Sequence, residues 1–117
     1  MTKTLFDVKA LREKVMASND IQHAEVFVPE WDVTLPVKTL SALEMKEVMK
    51  YQSDTVRMTI IAVLNGCKTE GGEAVFSRED LAVFEAEKAF APVMKVAEKI
   101  LEMSGFGENG MKDAKNN

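Results

Sequence analysis

Apolar and polar positions along the chain change period several times, and each change marks an element. Leu5, Val8, Leu11 and Val15 recur at helical spacing, with Thr4 as a cap and Asp7 three residues on. Ser18, Asn19 and Asp20 end that pattern, and the modest apolar face predicts a loosely docked helix. From Ala24 the period falls to two: Ala24, Val26 and Val28 share one face, Glu25 and Phe27 the other. After Pro29, Glu30, Trp31 and Asp32, the alternation resumes with Val33, Leu35 and Val37. Two such runs around a short loop predict a β-hairpin. Pro36 has no N–H for a ladder, so its strand should be an edge or carry a bulge. An isolated hairpin is marginal in water, so helices must cover one face.

Helical spacing then returns. Ser41-Ala42-Leu43-Glu44 is a capping box ahead of Met45, Val48, Met49, Gln52, Val56, Ile60, Val63 and Leu64. Ser53, Asp54 and Thr55 weaken the middle, which predicts two helices with a bend. Gly66, Gly71 and Gly72 mark a turn-rich connection. Ser77 should cap the next helix, with Asp80 at the third position and Phe76 stapled onto Leu81; Leu81 and Phe84 face inward. Pro92 suits the first turn of a further helix, or a kink, with Val93, Val96, Ala97, Ile100 and Leu101 as its apolar face. Gly105 should end it in a left-handed cap, Phe106 folding back. Residues 107–117 are polar and glycine-bearing, which predicts a disordered tail. The expected fold is α+β: an N-terminal β-hairpin packed on a mainly α-helical domain over 1–106, followed by a flexible C-terminal tail over 107–117.

Composition narrows what such a domain can do. With 117 residues the chain fits one domain and can bury a core. Eight Met accompany few aromatics; they either fill the core or line an adaptable binding groove. A net charge of −4 argues against nucleic acid as the main ligand, since phosphate binding needs surplus Lys and Arg. No apolar run approaches a membrane span, and Met1 to Lys9 lacks the features of a signal peptide. One cysteine, Cys67, allows no internal disulfide, and a reducing cytoplasm is the expected compartment. Cys67 beside Lys68 is either a somewhat reactive thiol or an inert half-buried one. His23 is the single histidine, far from Cys67, so no zinc spacing exists. Asn65-Gly66-Cys67 and Gly71-Gly72 lack the pattern of a phosphate loop. Nothing assembles a nucleophile, base and orienter, so we expect no catalytic residue, no metal, no cofactor and no enzyme.

Three landmarks, with an apolar run between the first two, carry a family resemblance. Glu25 to Leu40 contains Val28-Pro29-Glu30-Trp31 between two strands, with Leu40-Ser41 ahead of a capped helix. Ile60-Ile61-Ala62-Val63-Leu64 leads into a glycine turn, and Phe76-Ser77-Arg78-Glu79-Asp80 forms a second landmark. Ile100-Leu101-Glu102-Met103-Ser104-Gly105-Phe106 is the third. In this order, over about residues 24 to 106, they resemble the tail assembly chaperones of long-tailed siphophages. Such proteins often carry Gly after the Trp, where this chain has Asp32.

The resemblance implies a bacteriophage tail assembly chaperone that binds the tape measure protein and holds it soluble while tail tube subunits polymerise around it. It implies the host cytoplasm as the location and absence from the mature virion. Implied partners are the tape measure protein, further copies of the chain as a homo-oligomer, the tail tube protein and a frameshifted longer form. Nucleic acid and membrane are not expected partners. For the longer form, Ala114-Lys115-Asn116 is encoded GCN-AAR-AAY, which with A at the free positions reads A-AAA-AAY, a slippery heptamer. The alternative is that Lys115 to Asn117 is merely a solubilising end. Phe27, Val28, Pro29 and Trp31 are the candidate protein-binding residues, with Trp31 as either an aromatic anchor or a core cover. Self-association through the hairpin edge should favour the Ala24–Val28 strand, because Pro36 blocks part of the other; helical faces are equally plausible. Two other readings are a small acidic regulatory adaptor and a minor structural tail protein retained in the particle. The interspersed Lys residues argue against the first.

Overall fold

A computed structural model describes residues 6–106. Thr4 and Leu5, and the tail over 107–117, lie outside these residues. The chain forms α1 (Val8–Ala17), β1 (His23–Val28), β2 (Val33–Lys38), α2 (Ala42–Met49), α3 (Thr55–Gly66), α4 (Asp80–Glu87) and α5 (Phe90–Met103). This is the expected α+β arrangement of a hairpin on helices.

β1 and β2 pair antiparallel in continuous register from His23 opposite Lys38 to Val28 opposite Val33. Pro36 lies opposite Glu25 and no bulge interrupts the ladder, because each strand of a two-stranded sheet has a free edge that needs no N–H. Val26, Val28, Leu35 and Val37 are buried on the inner face, which packs against α5. α5 in turn lies along α3, and α3 also meets α2 and α4.

α3 is the centre of the molecule. Thr59 through Leu64 and Gly66 are all buried, so this helix is covered nearly all round rather than along one stripe. Gly66 is its last residue and not part of the loop, contrary to the sequence expectation. A Cβ there would lie 2.6 Å from Cδ1 and Cγ2 of Ile100, so the missing side chain lets α5 approach. α2 and α3 are separate, and Asp54 caps α3 by accepting from the Arg57 N–H at 3.1 Å. The capping box of α2 is complete: Glu44 N–H donates to Ser41 Oγ, and Ser41 N–H to the Glu44 carboxylate.

Three local expectations change. α1 starts at Val8 with Asp7, not Thr4, as its cap: Asp7 accepts from the Ala10 N–H at 3.1 Å. α4 starts at Asp80, not just after Ser77, and only half of its capping box forms. The Ser77 N–H donates to Asp80 at 2.8 Å, while the residue at the cap position, Glu79, makes no side-chain cap. Cys67 is fully buried rather than half-buried, and burial pushes its thiol up to about 12. The end of α5 is as expected: Pro92 sits in its first turn, and Gly105 is left-handed at φ 97°. Phe106 N–H donates to Leu101 O at 2.7 Å and Gly105 N–H to Glu102 O at 3.2 Å, a Schellman closure.

Candidate functional site

The hairpin turn places the four candidate residues differently. Trp31 N–H donates to Val28 O at 3.1 Å and Asp32 N–H to Pro29 O at 3.2 Å, so the turn is wound like a helical fragment. Pro29 suits its first position because its φ is already fixed. Asp32 then exits left-handed at φ 51°, a conformation glycine adopts freely and aspartate tolerates. Asp32 is the departure noted in the sequence resemblance, and its positive φ is the backbone state that glycine favours. Val28 is wholly buried and offers no surface to a partner, whereas Phe27 is 53% exposed on the outer face of the hairpin. Pro29 is exposed at the turn and Trp31 is half-buried.

Trp31 turns inward onto an aromatic cluster. Its ring centroid is 6.1 Å from that of Phe84, tilted by 59°, and Phe84 meets Phe76 edge-on at 5.0 Å. Trp31, Phe76, Phe84 and Lys88 line a shallow hollow of about 330 Å³. Lys88 stands just past the C-terminus of α4, where its charge also suits the helix dipole. The hollow therefore has an aromatic floor and one cation, the makings of a seat for an apolar side chain with an acidic neighbour. Sequence reading identified Trp31 and the inward Phe84 but not that they meet. Phe76 was read only as a local staple, and Lys88 carried no signal.

A second, polar cleft of about 820 Å³ opens beside α2. At its base Glu44 binds Lys38, and binds Lys68 at 2.6 Å, joining β2, α2 and the segment after α3. Burial by itself would raise the Glu44 carboxyl. Its hydrogen bonds to Lys38, Lys68 and the Ser41 N–H outweigh that and hold it at about 2, against an ordinary 4.5. Glu47 nearby pairs with Arg78, which ties α2 to the turn before α4. In these pairs three cations meet two carboxylates, and the pairs act as cross-links between elements. Sequence showed Glu44 only in its capping role, because Lys38 and Lys68 reach it through tertiary structure. Among the described residues no cluster of three or more His, Cys, Asp or Glu is placed to hold a metal ion.

The three sequence landmarks meet in space. Trp31 of the first packs on Phe84 beside Phe76 of the second. Ser104 of the third accepts from the Leu40 N–H of the first at 2.8 Å and donates to Ile100 O at 2.7 Å. The Thr39 hydroxyl, next to Leu40, also accepts from the Gln22 N–H at 3.0 Å. The landmarks are thus two junctions that hold the hairpin to the helices.

No family model and no curated protein sequence matches the chain. Its structure is similar to that of the tail assembly chaperone of bacteriophage HK97, with a TM-score of 0.59 at 15% identity. The likeness covers 81% of this chain and 97% of that one. The chain therefore has the tail assembly chaperone fold, in agreement with the family resemblance of its sequence.

Proposed function

We propose that this chain is a bacteriophage tail assembly chaperone. It binds the tape measure protein and keeps it soluble while the tail tube forms, and it works without catalysis. The observation that carries this reading is the shared fold with the HK97 chaperone across nearly the whole of that protein. Surface chemistry supports it. The hollow of Trp31, Phe76, Phe84 and Lys88 suits an apolar anchor on an amphipathic helix. Phe27 adds an exposed aromatic on the other face of the same hairpin. A long helical client coated by many copies needs only weak contacts at each, because linkage along the client supplies the net affinity.

On this reading the chain acts in the host cytoplasm and is left out of the finished particle. Its partners are the tape measure protein, further copies of itself, the tail tube protein and a longer form made by slippage at the codons of Ala114 to Asn116. The test is co-expression with the tape measure protein of the same phage. Wild-type chain should raise the soluble fraction of the client severalfold. Trp31→Ala should lower that gain while the circular dichroism spectrum is kept. A client equally insoluble with and without the chain would overturn the proposal, and loss of the fold in Trp31→Ala would make Trp31 a core cover.

A further inference from the structure

We propose that α1 is a docking element for a second copy of this chain, and that it lies across the outer face of the second copy's β-hairpin at Phe27. The inference rests on the self-association included in the proposed function and names the surface that performs it.

α1 has no buried residue. Phe6, Val8, Leu11, Val15 and Met16 are between 47% and 75% exposed, the largest group of exposed apolar side chains in one short segment. A ten-residue helix is below the length that is stable alone in water. Val8, Leu11 and Val15 form a stripe at helical spacing that the described part of the chain leaves exposed, flanked by Lys9, Arg12 and Lys14.

Charge selects the occupant. Lys9, Arg12 and Lys14 against Glu13 give α1 a charge of +2 in a chain of −4, which leaves −6 for the remainder. Two α1 helices would repel, whereas α1 and the body of another copy attract. The outer face of the hairpin is the complement. It presents Phe27, 53% exposed, together with Glu25 and Thr34, and Glu30 and Asp32 follow at the turn. Lys38, on the same parity, is already held by Glu44. Exchange of α1 between two copies would make the contact twice over, which favours a reciprocal pair over a single contact.

The test uses the full chain. Sedimentation over a concentration series should show self-association, and Leu11→Ser with Val15→Ser should weaken it at least tenfold. Phe27→Ser should do the same with an unchanged circular dichroism spectrum of the body. Mixing a Leu11→Cys chain with a Phe27→Cys chain should give a disulfide-linked heterodimer under mild oxidation; Cys67 is buried and stays out of the reaction. Association that persists in the α1 double variant overturns the assignment of α1 and leaves self-association standing. A wild-type chain that is monomeric at all concentrations overturns both, whether or not it solubilises the tape measure protein. A Leu11→Cys/Phe27→Cys chain that closes only on itself would place α1 on its own hairpin and overturn the proposal. So would α1 variants that lose binding to anionic phospholipid vesicles while associating normally.

Discussion

α1 and α5 look alike as sequence and differ completely in the fold. Both space apolar residues at three and four, Val8, Leu11 and Val15 in one, Val93, Val96, Ala97 and Ile100 in the other. Yet α5 buries all four of its residues between the hairpin and α3, while α1 buries none. Periodicity defines a stripe and says nothing of what will cover it. α5 is covered within the chain because Gly66 lets α3 approach and because Ser104 latches its end to Leu40. Among the described residues α1 has no equivalent latch.

The sharpest way to break that contrast is Ile100→Ala. Ile100 is fully buried against α3, so the cavity should cost about 2–5 kcal/mol and lower the melting temperature by many degrees. Glu44→Gln should come next, at about 2–3 kcal/mol, since it leaves Lys38 buried without its counter-charge. The pH dependence carries the same information. The Glu44 carboxyl titrates near 2 when folded and near 4.5 when unfolded, so its contribution is complete above about pH 4.5. That contribution is lost as pH falls toward 2, and acid unfolding of Glu44→Gln should lack this component.

Gly66→Ala should destabilise by about 1–3 kcal/mol despite alanine's better helix propensity, because its methyl would strike Ile100. Ser104→Ala should cost about 1–2 kcal/mol through the unpaired Leu40 N–H; thermal melts measure both. Leu11→Ser should be the smallest, within about 0.5 kcal/mol for the dilute chain, because Leu11 is exposed on a helix with no buried residue. A larger loss at low concentration would mean α1 is packed within its own chain.

Much of the fold was legible because local chemistry and tertiary packing agree. The two period-two runs gave the hairpin and its inner face, Ser41 and Glu44 the start of α2, Asp54 the break before α3, and Gly105 the end of α5. Contacts between distant residues were not legible. Gly66 reads as a turn residue until Ile100 is placed beside it, and the run Ile60 to Leu64 does not reveal that α3 is covered on nearly every side. At the candidate site Trp31 stood out as the single tryptophan in a turn. Its hollow did not, because Phe76 and Lys88 join it from elements more than forty residues away. The burial of Val28 followed from the same alternation that exposes Phe27, so the alternation already divides those two candidates between opposite faces.

The central claim is a transient role in tail assembly, and complementation of a gene deletion tests it most directly. On the proposed function, a phage deleted for this gene should produce heads without functional tails. Supplying the chain from a plasmid should restore infectious particles, and mass spectrometry of those purified particles should find the tape measure protein but not this chain. Tails that assemble normally without the gene, or the chain present in purified particles at the level of a structural subunit, would contradict the account.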